Sequence, residues 1–295
     1  MLLIDRYRDI IPDFDSFLAI SSEPLPISAR INTLKINSQI LLERFVRKGI
    51  GCRPLSWYTL GLRLDVKSPG KLAEHTLGYI HIQEEVSMIP PLVLQPEPGE
   101  TVLDLCSAPG SKTTQISQQM DNRGLVVANE PTLSRITPLR SNCERLGAIN
   151  VAITRYDGRR FPTYLFDRVL VDAPCSGEGR ARKDLGICER SSLKRSLGLQ
   201  ALQKGLLKRA INLVKPGGVV VYSTCTYAPE ENEAVVESVL GEAHLEKISF
   251  SGLRDCPGII EWNGEEHSND LLLCARYYPH YNDTGGFFVA KLIRN

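Results

Sequence analysis

The sequence predicts an α/β fold: a parallel sheet covered by helices on both faces, preceded by a small α+β module. Three observations carry that expectation. From residue 101 onward, short continuous apolar runs alternate with segments of helical period, as in strands buried on both faces and joined by crossover helices. Residues 1 to about 75 lack that alternation. The chain has 295 residues, 42% hydrophobic and 23% charged, enough for a large domain with a smaller companion and unlike a disordered chain.

Within residues 1–75, an acidic-aromatic start (Asp9 to Phe17) precedes Pro24 and Pro26. Residues 27–37 set Ile31, Thr33 and Lys35 against Asn32, Leu34 and Ile36, which suits a strand. Ile40, Leu41, Phe45 and Val46 then recur at helical spacing, ended by Gly49 and Gly51. Residues 76–295 form the second domain. There, Gln83–Leu94 reads as a helix broken or kinked by Pro90-Pro91, and Pro96, Pro98 and Gly99 make a loop. Strands follow at Thr101–Leu105, Leu125–Ala128, Val151–Thr154, Arg168–Val171 and Val219–Ser223, with helices at about 112–120, 132–147 and 196–214. Lys215-Pro216-Gly217-Gly218 supplies a helix stop and turn, and Phe287–Ile293 reads as a last strand, antiparallel at the sheet edge.

Composition excludes several function classes. Lys plus Arg total 35 against 34 for Asp plus Glu, a formal charge of +1, so no uniformly basic coat exists, although a local patch can. No apolar run approaches the roughly 18–20 residues that cross a bilayer. The start, Met-Leu-Leu-Ile-Asp-Arg-Tyr-Arg, lacks the basic region and long apolar core of a secretory signal. A cytoplasmic location is therefore expected, with the eight cysteines reduced. No Cys-x-x-Cys pair occurs, so no metal site is expected.

The sharpest motif is Val102-Leu103-Asp104-Leu105-Cys106-Ser107-Ala108-Pro109-Gly110-Ser111-Lys112-Thr113. A strand enters a turn of small residues and leaves as a helix, at the edge where open α/β sheets bind ligands. Small residues admit a ligand close to the backbone, and amides at the helix start bind polar groups. The segment is neither Gly-x-Gly-x-x-Gly nor a phosphate loop. Glu130, ending the second strand, suits both hydroxyls of a ribose, and Asp157, after the third, suits the exocyclic amine of an adenine. Alone, each has an ordinary structural reading: a tight turn, a helix-initiating acid before Pro131, an Asp-Gly turn. Their order after three successive strands points to an adenosine-containing cofactor.

Two cysteines emerge at the same edge. Asp172-Ala173-Pro174-Cys175-Ser176-Gly177 follows the fourth strand and Ser223-Thr224-Cys225-Thr226-Tyr227 the fifth. Cys52, Cys106, Cys143, Cys188, Cys256 and Cys274 read as small buried hydrophobes. Cys175 and Cys225 sit in polar turns and are candidate nucleophiles, a disulfide between them being disfavoured inside a cell. A thiol reacts as its thiolate, favoured by positive surroundings. Lys112, the basic run after Gly177 or the helix start after Pro229 could supply that field. Asp172 offers a proton donor or acceptor.

Together these residues resemble the Nop/Sun (RsmB-type) RNA cytosine carbon-5 methyltransferases, through Arg30–Lys35, Gly78–Pro91, Asp104–Thr113, Glu130, Asp157, Asp172–Gly179 and Ser223–Asn232. Asp-Ala-Pro-Cys-Ser-Gly and Ser-Thr-Cys-Thr are the specific signatures, and the chain is similar to the compact archaeal tRNA enzymes. The resemblance implies a Rossmann-like class I methyltransferase sheet and S-adenosyl-L-methionine as cofactor. Cys106, Ser107, Ala108, Pro109, Gly110, Ser111 and Lys112 would line its amino-acid end, Glu130 its ribose and Asp157 its adenine, with Arg135 and Asp172 close by. It also implies that Cys225 is the nucleophile and that Cys175 assists product release. Ser111 departs from the family, which often has a second glycine there.

That assignment suits the chemistry. Carbon 5 of cytosine is a poor nucleophile until a thiolate adds at carbon 6, and Asp172 at ring nitrogen 3 would offset the developing charge. Cys175 or a water would remove the carbon-5 proton. The base must be unpaired or flipped. Arg180, Arg182, Lys183, Arg190, Lys194, Arg195, Lys204, Lys208, Arg209 and Lys215 face only Glu178, Asp184 and Glu189, a basic stretch beginning beside the Cys175 turn. The N-terminal module adds Arg30, Lys35, Arg44, Arg47 and Lys48 and would help bind RNA, while Trp57 and Tyr58 read as packing residues. The expected substrate is tRNA, with rRNA as the alternative, and the expected state a monomer, with or without an accessory protein. An amino-group methyltransferase would carry Asn-Pro-Pro-Tyr or a close variant after the fourth strand, and a non-catalytic assembly factor would not need Cys175, Cys225 and Asp172.

Overall fold

The computed structural model describes residues 3–184, 186, 187 and 192–295; Cys188, Glu189 and Arg190 lie outside the described residues. A four-stranded antiparallel sheet comes first, built from β1 (Ser28–Ile31), β2 (Gly51–Pro54), β3 (Gly61–Asp65) and β4 (Ile80–Ile82) in the order β2-β3-β1-β4. It therefore takes in residues beyond 75. The helix Ser38–Arg47 packs Leu41 and Phe45 onto this sheet, beside Ala29, Ile31 and Leu62. Its start is fixed by Asn37, whose side chain accepts from the Gln39 and Ile40 amides.

The strand expected over 27–37 ends at Ile31, with all four of its residues buried. Asn32 stops it. Its side-chain oxygen accepts from the Leu34 amide and its nitrogen donates to the Gly78 and Leu146 carbonyls, so residues 32–35 turn instead of alternating. Pro90 and Pro91 also act otherwise than expected. They open the helix Ile89–Leu94 after a 3-10 turn at Val86–Met88, where a missing amide hydrogen costs nothing.

The large sheet holds β5 (Thr101–Asp104), β6 (Leu125–Asn129), β7 (Val151–Thr154), β8 (Phe166–Asp172), β9 (Val214–Thr224), β10 (Ala243–Glu246), β11 (Cys256–Pro257), β14 (Ala275–Tyr277) and β15 (Phe287–Arg294); β12 (Glu261–Trp262) and β13 (Glu265–Glu266) form a separate hairpin. The order is β11-β14-β15-β9-β8-β5-β6-β7, with β10 also on β15. Strands β5 to β9 run parallel, and β15 is antiparallel to β9. Contrary to expectation β15 is interior, because β14 and β10 cover its far side. Those strands span three or four residues, too short for a periodic signal.

Alternation along β8 shows why helices lie on both faces. Val169 and Val171 join Leu206, Leu207, Ala210 and Ile211 of the helix Leu193–Leu213, while Leu170 joins Ile89, Val93 and Ile116 on the opposite side. The chain leaves β5 toward β6 and β7, then returns to place β8 on the other side of β5. That reversal opens a crevice at the carboxyl end of β5. The N-terminal sheet clamps the neighbouring helices: fully buried Arg30 donates to Gln83, Thr114 and Gln118, and Lys35 to the Arg145 carbonyl. Among the described residues no helix is long and apolar enough to cross a membrane.

Candidate active site

Register decides where the two thiols meet. Asp172 of β8 pairs with Ser223 of β9, so the turns after the two strands leave the sheet level with one another. Cys175 Sγ and Cys225 Sγ lie 3.3 Å apart, in contact but well beyond the ~2.05 Å of a disulfide. Beneath them, Ser176 donates its amide to Glu231 Oε2 at 2.9 Å, its hydroxyl meets both Glu178 and Glu231, and Thr226 meets Glu178. Both carboxyls are fully buried, and burial raises the pKa of Glu231 above the ordinary carboxylate value. This polar lattice ties one turn to the other.

The sulfurs are chemically unequal. A hydrogen bond from Cys175 lowers the Cys225 pKa, with Arg180 and Lys112 adding to the effect against burial and Asp172. The same bond, burial and the Glu231 charge hold the Cys175 thiol well above its ordinary value. Both shifts favour the thiolate on Cys225 over one on Cys175. The field comes from Lys112 and from Arg180 of the basic run, two of the three sources considered from sequence.

Both thiols open on a cavity of about 590 Å³, shared with Cys106, Ala108, Pro109, Lys112, Glu130, Arg135, Asp157 and Asp172. Lys112 Nζ donates to Asp172 Oδ2 at 2.6 Å, and Ser223 Oγ to Asp172 Oδ1 at 2.8 Å. Glu130 is buried, paired with Arg135 Nη1 at 3.1 Å, and accepts from the Thr132 amide. Arg135 also donates to the Ala108 carbonyl at 2.8 Å, closing the loop over the second strand. Asp157 is gripped by Arg159, whose hydrogen bonds lower its pKa to about 2. Ser107 and Ser111 line a smaller adjoining cavity of about 100 Å³ with Ser87, Asp104 and Lys112. Gly110 lines neither cavity. Its φ of 104° turns the chain into the helix Ser111–Gln119, and a Cβ there would press on Leu139.

Several residues here escaped the sequence reading. Asp104 ends β5 with its Oδ2 held by Thr113 and its buried Oδ1 without a hydrogen-bond partner. Burial, with the Asp172 charge adding, pushes its pKa up to about 7. A carboxylate ending an apolar strand was the available signal. His81, from β4, hydrogen-bonds Ser111, and no local pattern announces that pairing. The basic stretch divides: Arg180, Arg182, Lys183 and Arg195 line the large cavity, but the Arg182 guanidinium is engaged by the Glu23, Pro24 and Thr284 carbonyls and by Asp283, and Arg209 holds the Phe161 carbonyl. Trp57 donates to Glu85 and packs on Phe250.

Gly179 sets how closely the Cys225 turn approaches. Its amide donates to the Cys225 carbonyl at 2.9 Å, and its own carbonyl accepts from Gly286 at 2.8 Å. A Cβ would overlap the Gly286 carbonyl oxygen and come within 2.9 Å of that of Cys225. Gly179→Ala should therefore cost about 1–3 kcal/mol in thermal unfolding and reduce thiol reactivity toward an alkylating reagent at pH 7.

Comparison with known proteins agrees with this layout. Residues 91–293 match the family model described as 16S rRNA methyltransferase RsmB/F, and residues 2–85 the model for the N-terminal domain of 16S rRNA methyltransferase RsmF. The chain is 41% identical to the tRNA (cytosine(49)-C(5))-methyltransferase of Pyrococcus abyssi (strain GE5 / Orsay), over 98% of this chain and 94% of that protein. It is 40% identical to the ribosomal RNA small subunit methyltransferase F of Shewanella sp. (strain MR-7), over 95% of this chain but 58% of that protein. A solved methyltransferase homologue from Pyrococcus horikoshii superimposes with a TM-score of 0.86 at 33% identity, covering 99% of this chain and 94% of that one. With both halves of the fold matched and the two cysteine turns facing one crevice, the chain belongs to the RsmB/F family of RNA methyltransferases.

Proposed function

We propose that this protein forms 5-methylcytosine in tRNA, with S-adenosyl-L-methionine as methyl donor, Cys225 as nucleophile and Cys175 as the group that assists release. The observation that carries this reading is the 3.3 Å thiol pair with opposed pKa shifts, opening on the cavity at the sheet's switch point. Residues 1 to about 85 would act as the RNA-binding module and the rest as the catalytic domain.

The cavity fits the cofactor. Asp104 presents an unpartnered buried oxygen suited to an ammonium group. The helix Ser111–Gln119 starts without a side-chain cap, leaving amides for a carboxylate. Glu130 stands where a ribose would need an acceptor, and Asp157, Arg135, Cys106, Ala108 and Pro109 complete the walls. The bound cofactor supplies an electrophilic methyl group.

The chain's own groups do the rest. Cys225 Sγ forms a bond to carbon 6 of the cytosine, and the displaced π electrons reach ring nitrogen 3 through carbon 5 and carbon 4. The Lys112–Asp172 pair holds a proton where that nitrogen gains charge. Carbon 5, now enamine-like, bonds to the methyl carbon as the bond from that carbon to the donor sulfur breaks, its electron pair staying on sulfur, and then loses its proton to Cys175 or a water. The electrons of that C–H bond restore the ring double bond and expel Cys225.

Substrate class rests on the relatives. The P. abyssi protein, matched over 94% of its length, is named as a tRNA enzyme and supports tRNA; the 40% identity to the Shewanella small-subunit enzyme favours rRNA as the second reading. Incubating the purified protein with methyl donor and either total tRNA or 30S subunits, followed by bisulfite sequencing, tests both. New protected cytosines in tRNA are expected. Protection confined to 16S rRNA would move the assignment to the second reading, and none in either would overturn the activity.

A further inference from the structure

We propose that Glu178 and Glu231, buried beneath the thiol pair, share one proton at neutral pH, and that this proton keeps the Cys175 and Cys225 turns in register. The inference concerns how the sulfurs are positioned and goes beyond the cofactor and substrate readings above.

Counting hydrogens leads to it. Four oxygens meet under the sulfurs: Ser176 Oγ, Thr226 Oγ1, Glu178 Oε2 and Glu231 Oε1. Ser176 touches Glu178 at 2.6 Å, Thr226 at 2.8 Å and also Glu231, and Thr226 touches Glu178. The two hydroxyls bring only two hydrogens to these four contacts. With both carboxyls ionised, two contacts set bare lone pairs against each other, and in every arrangement one of them faces a carboxylate. A proton on Glu231 Oε1 lets that carboxyl donate to Ser176, while Ser176 and Thr226 both donate to Glu178. Only the contact between two neutral hydroxyl oxygens is then left without a hydrogen.

The surroundings offer no substitute. Glu231 Oε2 accepts from the Ser176 amide and from Gln203 Nε2, both at 2.9 Å, and Glu178 Oε1 from the Tyr7 hydroxyl at 3.4 Å. Tyr222 gives its hydroxyl to the Glu231 carbonyl, and Arg6 is paired with Glu230. Among the described residues no cation pairs with either carboxyl, and both are 0% exposed. Burial raises the Glu231 pKa, the direction a retained proton requires, and a proton so placed belongs to the pair.

Ser176 follows Cys175 and Thr226 follows Cys225, so the same contacts join the two turns that carry the sulfurs. Losing the proton would make one contact repulsive. It would also add a second negative charge to the Glu231 effect that already raises Cys175.

Glutamine at either position supplies a hydrogen in place of the proton. Above about pH 5.5 both carboxyls ionise in the unfolded chain, so unfolding the wild type releases the shared proton. Glu231→Gln and Glu178→Gln have none to release. The unfolding equilibrium constant of the wild type, divided by that of either variant, should therefore rise about tenfold per pH unit from about pH 5.5 to 7. Infrared difference spectra at pH 7, wild type minus variant, should contain the C=O band of a protonated carboxyl. Glu231→Leu should slow alkylation of Cys225 about tenfold, and Glu231→Gln should recover most of that rate. A flat stability ratio, a missing band, or a glutamine variant as slow as the leucine one would each overturn the inference; if Glu231→Leu does not fold, the first two decide. All three readouts use the protein alone, so their failure is distinguishable from a failure of methyl transfer.

Discussion

Cys225→Ala should abolish methyl transfer to RNA, by more than about 10³-fold, while S-adenosylhomocysteine binding should change little. The second half follows from the layout: the thiol shares the large cavity with the residues proposed to hold the cofactor but makes no hydrogen bond to the loop at 106–112. In the wild-type protein the rate should rise with pH as Cys225 ionises. It should level off at a lower pH than for an ordinary thiol, because Cys175, Arg180 and Lys112 favour the thiolate. Arg180→Ala removes one of those causes without touching the pair, so its pH profile should move upward with the plateau largely kept. A stopped-flow or quench assay over pH 6–9.5 reads both. Substantial activity in Cys225→Ala would place the nucleophile elsewhere.

Much of this architecture is visible in the chain because the parallel strands are buried on both faces and thus apolar throughout. Val151–Thr154 agrees with expectation residue for residue, and β5 and β6 agree within one residue at their ends. Where tertiary contacts decide, the local pattern misleads. Asn32 ends β1 through partners near residues 78 and 146, distant in sequence. Pro90 and Pro91 read as breakers until the 3-10 turn before them shows that the helix begins there. The interior position of β15 depends on short strands from residues 243–277, which carry no periodicity of their own.

The site divides the same way. Cys106, Lys112, Glu130, Asp157, Asp172, Cys175 and Cys225 are legible because each follows a strand at one edge of a parallel sheet, and position after a strand is a local property. Ser176, Glu178 and Glu231 are not. Their meaning lies in a buried lattice between two turns about 50 residues apart in sequence. Arg182 shows both sides of this. It lines the cavity, as charge and proximity suggest, yet its guanidinium is engaged by the Glu23, Pro24 and Thr284 carbonyls and by Asp283, acceptors that no sequence pattern pairs with it.

Cys175→Ala should trap the protein on its substrate as a covalent RNA adduct, seen as a slower band that survives denaturing electrophoresis, with multiple turnover largely lost. The argument starts from why the Cys175 pKa is raised. Its first cause is the hydrogen bond to Cys225, and the coulombic effect of Cys225 adds to it; both depend on Cys225 being an anion. Once Cys225 is bonded to carbon 6 that charge is gone, so two of the causes that raise the Cys175 pKa are removed while burial and Glu231 remain, and its thiol becomes easier to deprotonate at the step that needs a base. Removing Cys175 also removes the donor that favours the Cys225 thiolate, so adduct formation should require a higher pH in the variant. Cys175→Ser keeps a hydroxyl donor but supplies no comparable base. It should restore the pH dependence of adduct formation without restoring release. A stable adduct in both variants, with the pH shift in the alanine variant alone, separates the two roles; turnover of Cys175→Ala at the wild-type rate would assign release to a water and leave Cys175 only the first.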